Sequence, residues 1–132
     1  MLSWLLGEDE SDAVRSVLAG AELVLASDLT LIECERVIIR AMATGGLNEA
    51  QAGDRRAMLR RVSHHWTTLA LVEEISDRAR TPFPEEPVRT LDAIHLATAI
   101  VSRKLVPEIS LLSLDERIRS CGRALGFEIL PL

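Results

Sequence analysis

The stretch Arg89-Thr90-Leu91-Asp92-Ala93-Ile94-His95-Leu96-Ala97-Thr98-Ala99 limits what this chain can become more than any other. From Thr90 to Val101 every residue is apolar, small or threonine, apart from Asp92 and His95. A surface helix carries a polar face and this segment has none, so it reads as a helix buried on most sides. A carboxylate near the start of such a helix needs a partner, because burying an ionised Asp without one is costly. Taken alone, Thr90 as the helix cap, with Asp92 on the positive end of the helix, would answer that need.

The length of 132 residues fits one domain over 1–132, large enough to bury a core. Composition is that of an ordinary globular chain, 48% hydrophobic and 27% charged, which excludes disorder. No apolar run approaches the roughly 20 residues that span a bilayer. The opening Met1-Leu2-Ser3-Trp4-Leu5-Leu6 is too short for a secretory h-region and lacks a basic leader. The expectation is a cytoplasmic protein with no membrane partner. Cys34 and Cys121 lie far apart and outside any C-x-x-C spacing, so neither a disulfide framework nor a zinc site is indicated. A formal charge of −5 excludes nucleic-acid binding by bulk electrostatics and leaves only local patches. Lys104 is the one lysine among 15 basic residues; the rest are arginines, suited to bidentate pairing with phosphate or carboxylate.

Strand-like and helix-like segments alternate along the chain. Residues 2–6 read as a helical turn stopped at Gly7, and a helix over 11–20 shows Val14, Val17 and Leu18 on one face. Residues 23–26 read as a buried strand. A helix begins between Ser27 and Thr30 and ends before Gly45-Gly46. Asn48 and Gln51 form a capping box for a helix reaching about Val62, whose face carries Arg55, Arg56, Arg60 and Arg61. Residues 66–71 form a second strand and 72–80 a short helix. Pro82, Pro84 and Pro87 hold the next segment as a loop. After the Asp92 helix come a third strand at 109–113, a helix over 115–125 closed by Gly126, and a last strand at 127–130. This is an α/β chain with four strands and a mostly parallel sheet, without repeats or linkers.

Parallel sheets gather their sites at the strand C-termini. Three acids map near that edge: Glu33 after the first strand, Asp115 after the third, and Asp92 entering from the proline loop. Each alone has a capping explanation. Thr30-x-x-Glu33 matches a capping box, and Asp115, or Ser113 before it, can cap the following helix. Together, three close carboxylates would raise one another's pKa unless a cation sat among them. Oxygen donors without paired Cys or His indicate Mg²⁺ or Mn²⁺ rather than zinc.

The segments Thr30-Leu31-Ile32-Glu33, Arg89 to Ala97, Leu112-Ser113-Leu114-Asp115-Glu116-Arg117 and Ala124-Leu125-Gly126-Phe127 resemble the PIN domain, and most closely the VapC-type toxins of bacterial toxin–antitoxin pairs. The resemblance runs nearly the whole chain in order, and Leu-Asp-Ala-Ile-His-Leu-Ala is its specific part. It implies a PIN-like three-layer fold and a Mg²⁺-dependent endoribonuclease held in check by a small antitoxin, and a homodimer is expected beside it. By position Glu33, Asp92 and Asp115 match the family's second, third and fourth acids, with Ser113 and Thr30 supporting them. The family opens with a central strand ending in an acid. Here Met1 to Leu6 looks like the helix that follows it, so the expectation is a reading frame truncated at its N-terminus, lacking that strand and first acid.

Under this reading a metal held by Glu33, Asp92 and Asp115 activates water against an RNA phosphodiester, with no covalent nucleophile required. His95, three residues after Asp92, is a proton carrier or a packing histidine. His64 and His65 read as surface residues. The Arg55–Arg61 cluster is an RNA or antitoxin contact, or a solvated face. Trp4 and Trp66 read as core, and Cys34 as a buried small hydrophobe. The apolar short helices and the proline loop are expected to form partner surface. Two alternatives stand: a catalytically inactive PIN-like module that binds an antitoxin or a second copy, and a regulatory α/β domain whose three acids merely cap helices.

Overall fold

The computed structural model describes residues 11–132, so the turn expected at 2–6 and Trp4 lie outside the described residues. The chain divides into two compact units, with the boundary between Thr68 and Leu69.

In the N-terminal unit, α1 (Ser11–Gly20) is followed by β1 (Leu25–Ser27), α2 (Asp28–Ala43), α3 (Glu49–Ser63) and the first two residues of β2 (Thr67–Leu69). The Thr67 N–H donates to the Val24 carbonyl at 2.9 Å and joins β2 to the β1 segment. Val14 of α1, Cys34 and Ile38 of α2, and Ala52 and Leu59 of α3 are buried. The spacing of Cys34 and Ile38 is one helical turn, which sets one stripe of α2 inward. The helix starts are written locally. Asn48 Oδ1 accepts from the Gln51 N–H at 2.8 Å and Gln51 Oε1 accepts from the Asn48 N–H at 2.9 Å, the reciprocal box expected. For α2 the cap is Ser27, whose Oγ accepts from the Leu29 N–H at 3.2 Å. Because this earlier hydroxyl takes the helix start, Thr30 lies inside the first turn, buried. The capping box expected of Thr30 and Glu33 is therefore corrected.

The C-terminal unit contains α4 (Glu73–Ala79), α5 (Thr90–Leu105), β3 (Leu111–Leu112), α6 (Glu116–Ala124) and β4 (Ile129–Leu130). From Asp92 to Arg103 of α5 no residue is exposed, as the segment's composition requires. Ala93, Leu96 and Ala97 form the core with Ile75, Phe83 and Cys121. The buried hydroxyls of α5 are satisfied within the helix: Thr98 Oγ1 donates to the Ile94 carbonyl and Ser102 Oγ to the Thr98 carbonyl, each at 2.7 Å. The cap of α5 is Arg89, with no side-chain capping bond, so the assignment of that role to Thr90 is corrected.

β3 and β4 pair in parallel, Leu111 with Ile129 and Leu112 with Leu130, and α6 is the crossover between them. This helix sits tightly on the strands. A Cβ added at Gly122 would lie 2.6 Å from Leu111 Cδ2 and 2.8 Å from Ile129 Cδ1. The four expected strands are all present but shorter, and among the described residues they form two two-stranded sheets. In the loop of three prolines, the Glu86 carboxylate accepts from the Phe83 N–H at 2.8 Å and the Val88 N–H at 2.7 Å and braces the entry to α5. Among the described residues no helix is long and apolar enough to cross a membrane.

Candidate active site

Asp92 and Asp115 come together where two helices begin. Asp92 stands in the first turn of α5. Asp115 caps α6: its Oδ1 accepts from the N–H groups of Arg117 at 2.8 Å and Ile118 at 3.4 Å. Capping uses one oxygen of that carboxylate and leaves the other. Asp115 Oδ2 lies 3.6 Å from Arg89 Nη2, and Arg89 Nε lies 3.3 Å from Asp92 Oδ2. Two carboxylates from two helix starts therefore share one guanidinium, the cation needed if neighbouring acids are both to ionise. The Asp92 side chain is 17% exposed and that of Arg89 68%, so the acid is held in the structure while the base reaches in from solvent.

The chain just past β3 aims Asp115. Ser113 is buried, and its Oγ accepts from the Asp115 N–H at 3.1 Å, turning the backbone from strand into helix. Arg119 seals the ends of both strands: Nη1 donates to the carbonyls of Ser113 at 2.8 Å and Leu130 at 3.2 Å, and Nη2 to that of Pro131 at 2.8 Å. The pair thus stands beyond the C-terminal ends of parallel strands, where α/β folds place their sites. Sequence reading assigned no role to Arg89 or Arg119. The signal for Arg89 was its i,i+3 spacing from Asp92, which makes the two neighbours at the helix start.

Asp92 also lines a cleft of about 460 Å³, with Leu96, Glu85, Glu86, Glu116 and Arg117 on its walls. Two of its four carboxylates are ion-paired, Asp92 with Arg89 and Glu116 with Arg123 and Arg119. His95, half-buried, follows on α5. Glu33 belongs to the N-terminal unit, half-buried on α2 beside Cys34. Burial, and after it the Glu33 carboxylate, pushes the Cys34 thiol up to about 12, so it stays a neutral packing group. His64 and His65 are exposed, in edge-to-face contact at 5.3 Å.

The donor set of Asp92 and Asp115 is oxygen only and already converges on one cation. Mg²⁺ is commonly held by one or two carboxylates, with water and substrate oxygens filling its remaining positions. The two acids fit such an ion. Among the described residues, no group of three or more His, Cys, Asp or Glu is placed to hold a metal.

Comparison with known proteins bears on the family. The PIN domain model matches residues 1–123. Ribonuclease VapC46 of Mycobacterium tuberculosis strain H37Rv is 35% identical over 123 residues, covering 93% of this chain and 85% of that protein. Ribonuclease VapC35, from the CDC 1551 / Oshkosh and H37Rv strains of the same organism, is 28% identical over 125 residues, covering 93% of this chain and 84% of that protein. With a match running through both units and an acid pair at the strand edge, the chain belongs to the PIN-domain family, as a protein of the VapC type.

Proposed function

We propose that this protein is a Mg²⁺- or Mn²⁺-dependent endoribonuclease, the toxin of a toxin–antitoxin pair, hydrolysing RNA phosphodiester bonds in the cytoplasm. Its family supplies the nuclease class, the RNA substrate and the antitoxin partner. One observation carries the finer reading: Asp92 and Asp115 turn one oxygen each to a single cation at the C-terminal ends of β3 and β4.

In this reading Asp92 and Asp115 hold the divalent cation, and Glu33 is proposed as the third acid on the strength of the family resemblance. The cation, when bound, supplies a water of lowered pKa and offsets charge on the attacked phosphate. The chain's own residues supply placement. Asp115 is fixed by its two capping bonds and by Ser113, and Arg119 locks the strand ends behind it. Asp92 is held by a helix that cannot shift without disturbing the core of Ile75, Phe83 and Leu96. Such rigidity aims the reacting groups, and small misplacements are costly in rate.

The experiment is Asp92→Asn. Cleavage of a labelled RNA in Mg²⁺ or Mn²⁺ is expected to fall about a hundredfold or more, the scale of losing one electrostatic group at a reacting centre. The fold should persist, because the exposed pairing it loses is worth only about 0–1 kcal/mol. Unchanged cleavage would overturn the assignment. The second reading, an inactive PIN-like module that binds an antitoxin or a second copy, is favoured by the absence of a three-residue metal grouping among the described residues. A wild-type chain that binds its antitoxin yet leaves RNA intact at every metal concentration would establish it.

A further inference from the structure

We infer that Arg89 is an exchangeable internal counterion: its guanidinium occupies, in the metal-free protein, the seat that the divalent cation takes. The inference rests on the proposed metal site and adds a residue to it. Three observations lead there. The guanidinium touches both carboxylates, through Nε to Asp92 and Nη2 to Asp115, so one charge stands where the two acids converge. Its position is held lightly, since the side chain is 68% exposed and Arg89 caps α5 without a side-chain capping bond. Arg78, Arg103 and Arg119 in the same unit are otherwise placed, each donating to backbone carbonyls, the first two also stacked on Phe83 and Phe127.

An Arg that is mostly in solvent, with two acids before it, can leave when a stronger cation arrives. Until then it offsets the repulsion between Asp92 and Asp115 and keeps both aimed at one point. Cation and guanidinium compete for the same oxygens, so by linkage each weakens the other's hold. The protein is thereby stable without metal, and needs more metal to load than the bare acid pair would.

The test is calorimetric titration of the whole chain with Mn²⁺, comparing wild type, Arg89→Gln, Arg89→Lys and Arg117→Gln. The last removes a charge from the wall of the same cleft without touching the seat. Mn²⁺ affinity should rise about three- to tenfold in Arg89→Gln, since each exposed pair it relieves is weak. Arg89→Lys, with a single point charge, should fall between it and wild type. Thermal unfolding adds a second reading: Arg89→Gln should melt a few degrees below wild type without metal and level with it at saturating Mn²⁺. Equal or weaker binding in Arg89→Gln overturns the inference, and so does an equal rise in Arg117→Gln, which would make the effect bulk charge. If no variant and no wild type binds Mn²⁺, the metal site itself has failed, and this inference with it.

Discussion

At the scale of single residues, burial decides chemistry that residue type leaves open. Cys34 is a candidate nucleophile or ligand by type, and its surroundings make it neither. Its thiol is fully enclosed, and that burial lifts its pKa to about 12 from an ordinary 9.0; burial lifts Cys121 as well. Raised folded-state values fix the sign of the pH dependence. The unfolded thiol ionises first, so these groups contribute stability in full below pH 9, and that contribution is lost as pH climbs from 9 towards 12. The chain has no tyrosine and one lysine, which leaves that window almost free of other titrations. Urea midpoints should therefore be flat from pH 7 to 9 and fall above it. Cys34→Ala should flatten the upper part of the profile, and iodoacetamide at pH 8 should leave Cys34 of the folded protein unmodified. A midpoint rising above pH 9 would contradict the assignment.

Among the elements, the helix α6 is fixed near both of its ends. Its start is Asp115, which caps the helix with one oxygen and meets Arg89 with the other, so capping and site chemistry are not rival explanations. Near its other end is Gly122, where the helix approaches β3 and β4 so closely that no side chain fits without moving Leu111 and Ile129. Those two residues pair across the parallel strands, and a displacement there reaches Ser113, the next residue but one after Leu111. We expect Gly122→Val to destabilise the protein by about 1–3 kcal/mol, the scale of overpacking. Thermal unfolding measures it, and a variant as stable as wild type would show that the strands yield freely. Gly126, at a φ of +91°, closes the same helix in a backbone conformation that glycine adopts at least cost.

On the scale of the whole molecule, part of the abundance of arginine is explained from within. Arg56 pairs with Glu35, Arg89 with the two acids, and Arg119 with three carbonyls, while Arg78 and Arg103 lie over aromatic rings. A chain of charge −5 thus spends several of its cations on its own structure, which limits what remains for an RNA backbone. Partner surface is a separate matter. Ile32 and Ile39 of α2 stand exposed seven residues apart, two turns along one helix face. With a homodimer expected from the sequence, light scattering should give twice the chain mass of 14.6 kDa. The pair of changes Ile32→Glu and Ile39→Glu should return the protein to a monomer with unaltered circular dichroism. A wild-type monomer at high micromolar concentration would rule the dimer out.

Local information sets most of the elements, and tertiary packing brings Asp92 and Asp115 to one guanidinium. Caps, glycine stops and the 3.6-residue period act within a few positions, so the sequence alone places the Asn48–Gln51 box and the four strand positions. Strand length was overread because an apolar run marks burial, whereas a strand ends where its neighbour's hydrogen bonds end. The caps at Thr30 and Thr90 were misplaced by one turn or one residue for a related reason: several nearby residues can hold a helix start, and packing selects one. The acids at 92 and 115 were legible as residues that need a cation. That the cation at hand is Arg89 was not, because it depends on two helix starts, 23 positions apart in sequence, converging through the β3–α6 turn. Sequence records which groups require partners; only the folded backbone brings a particular partner within reach.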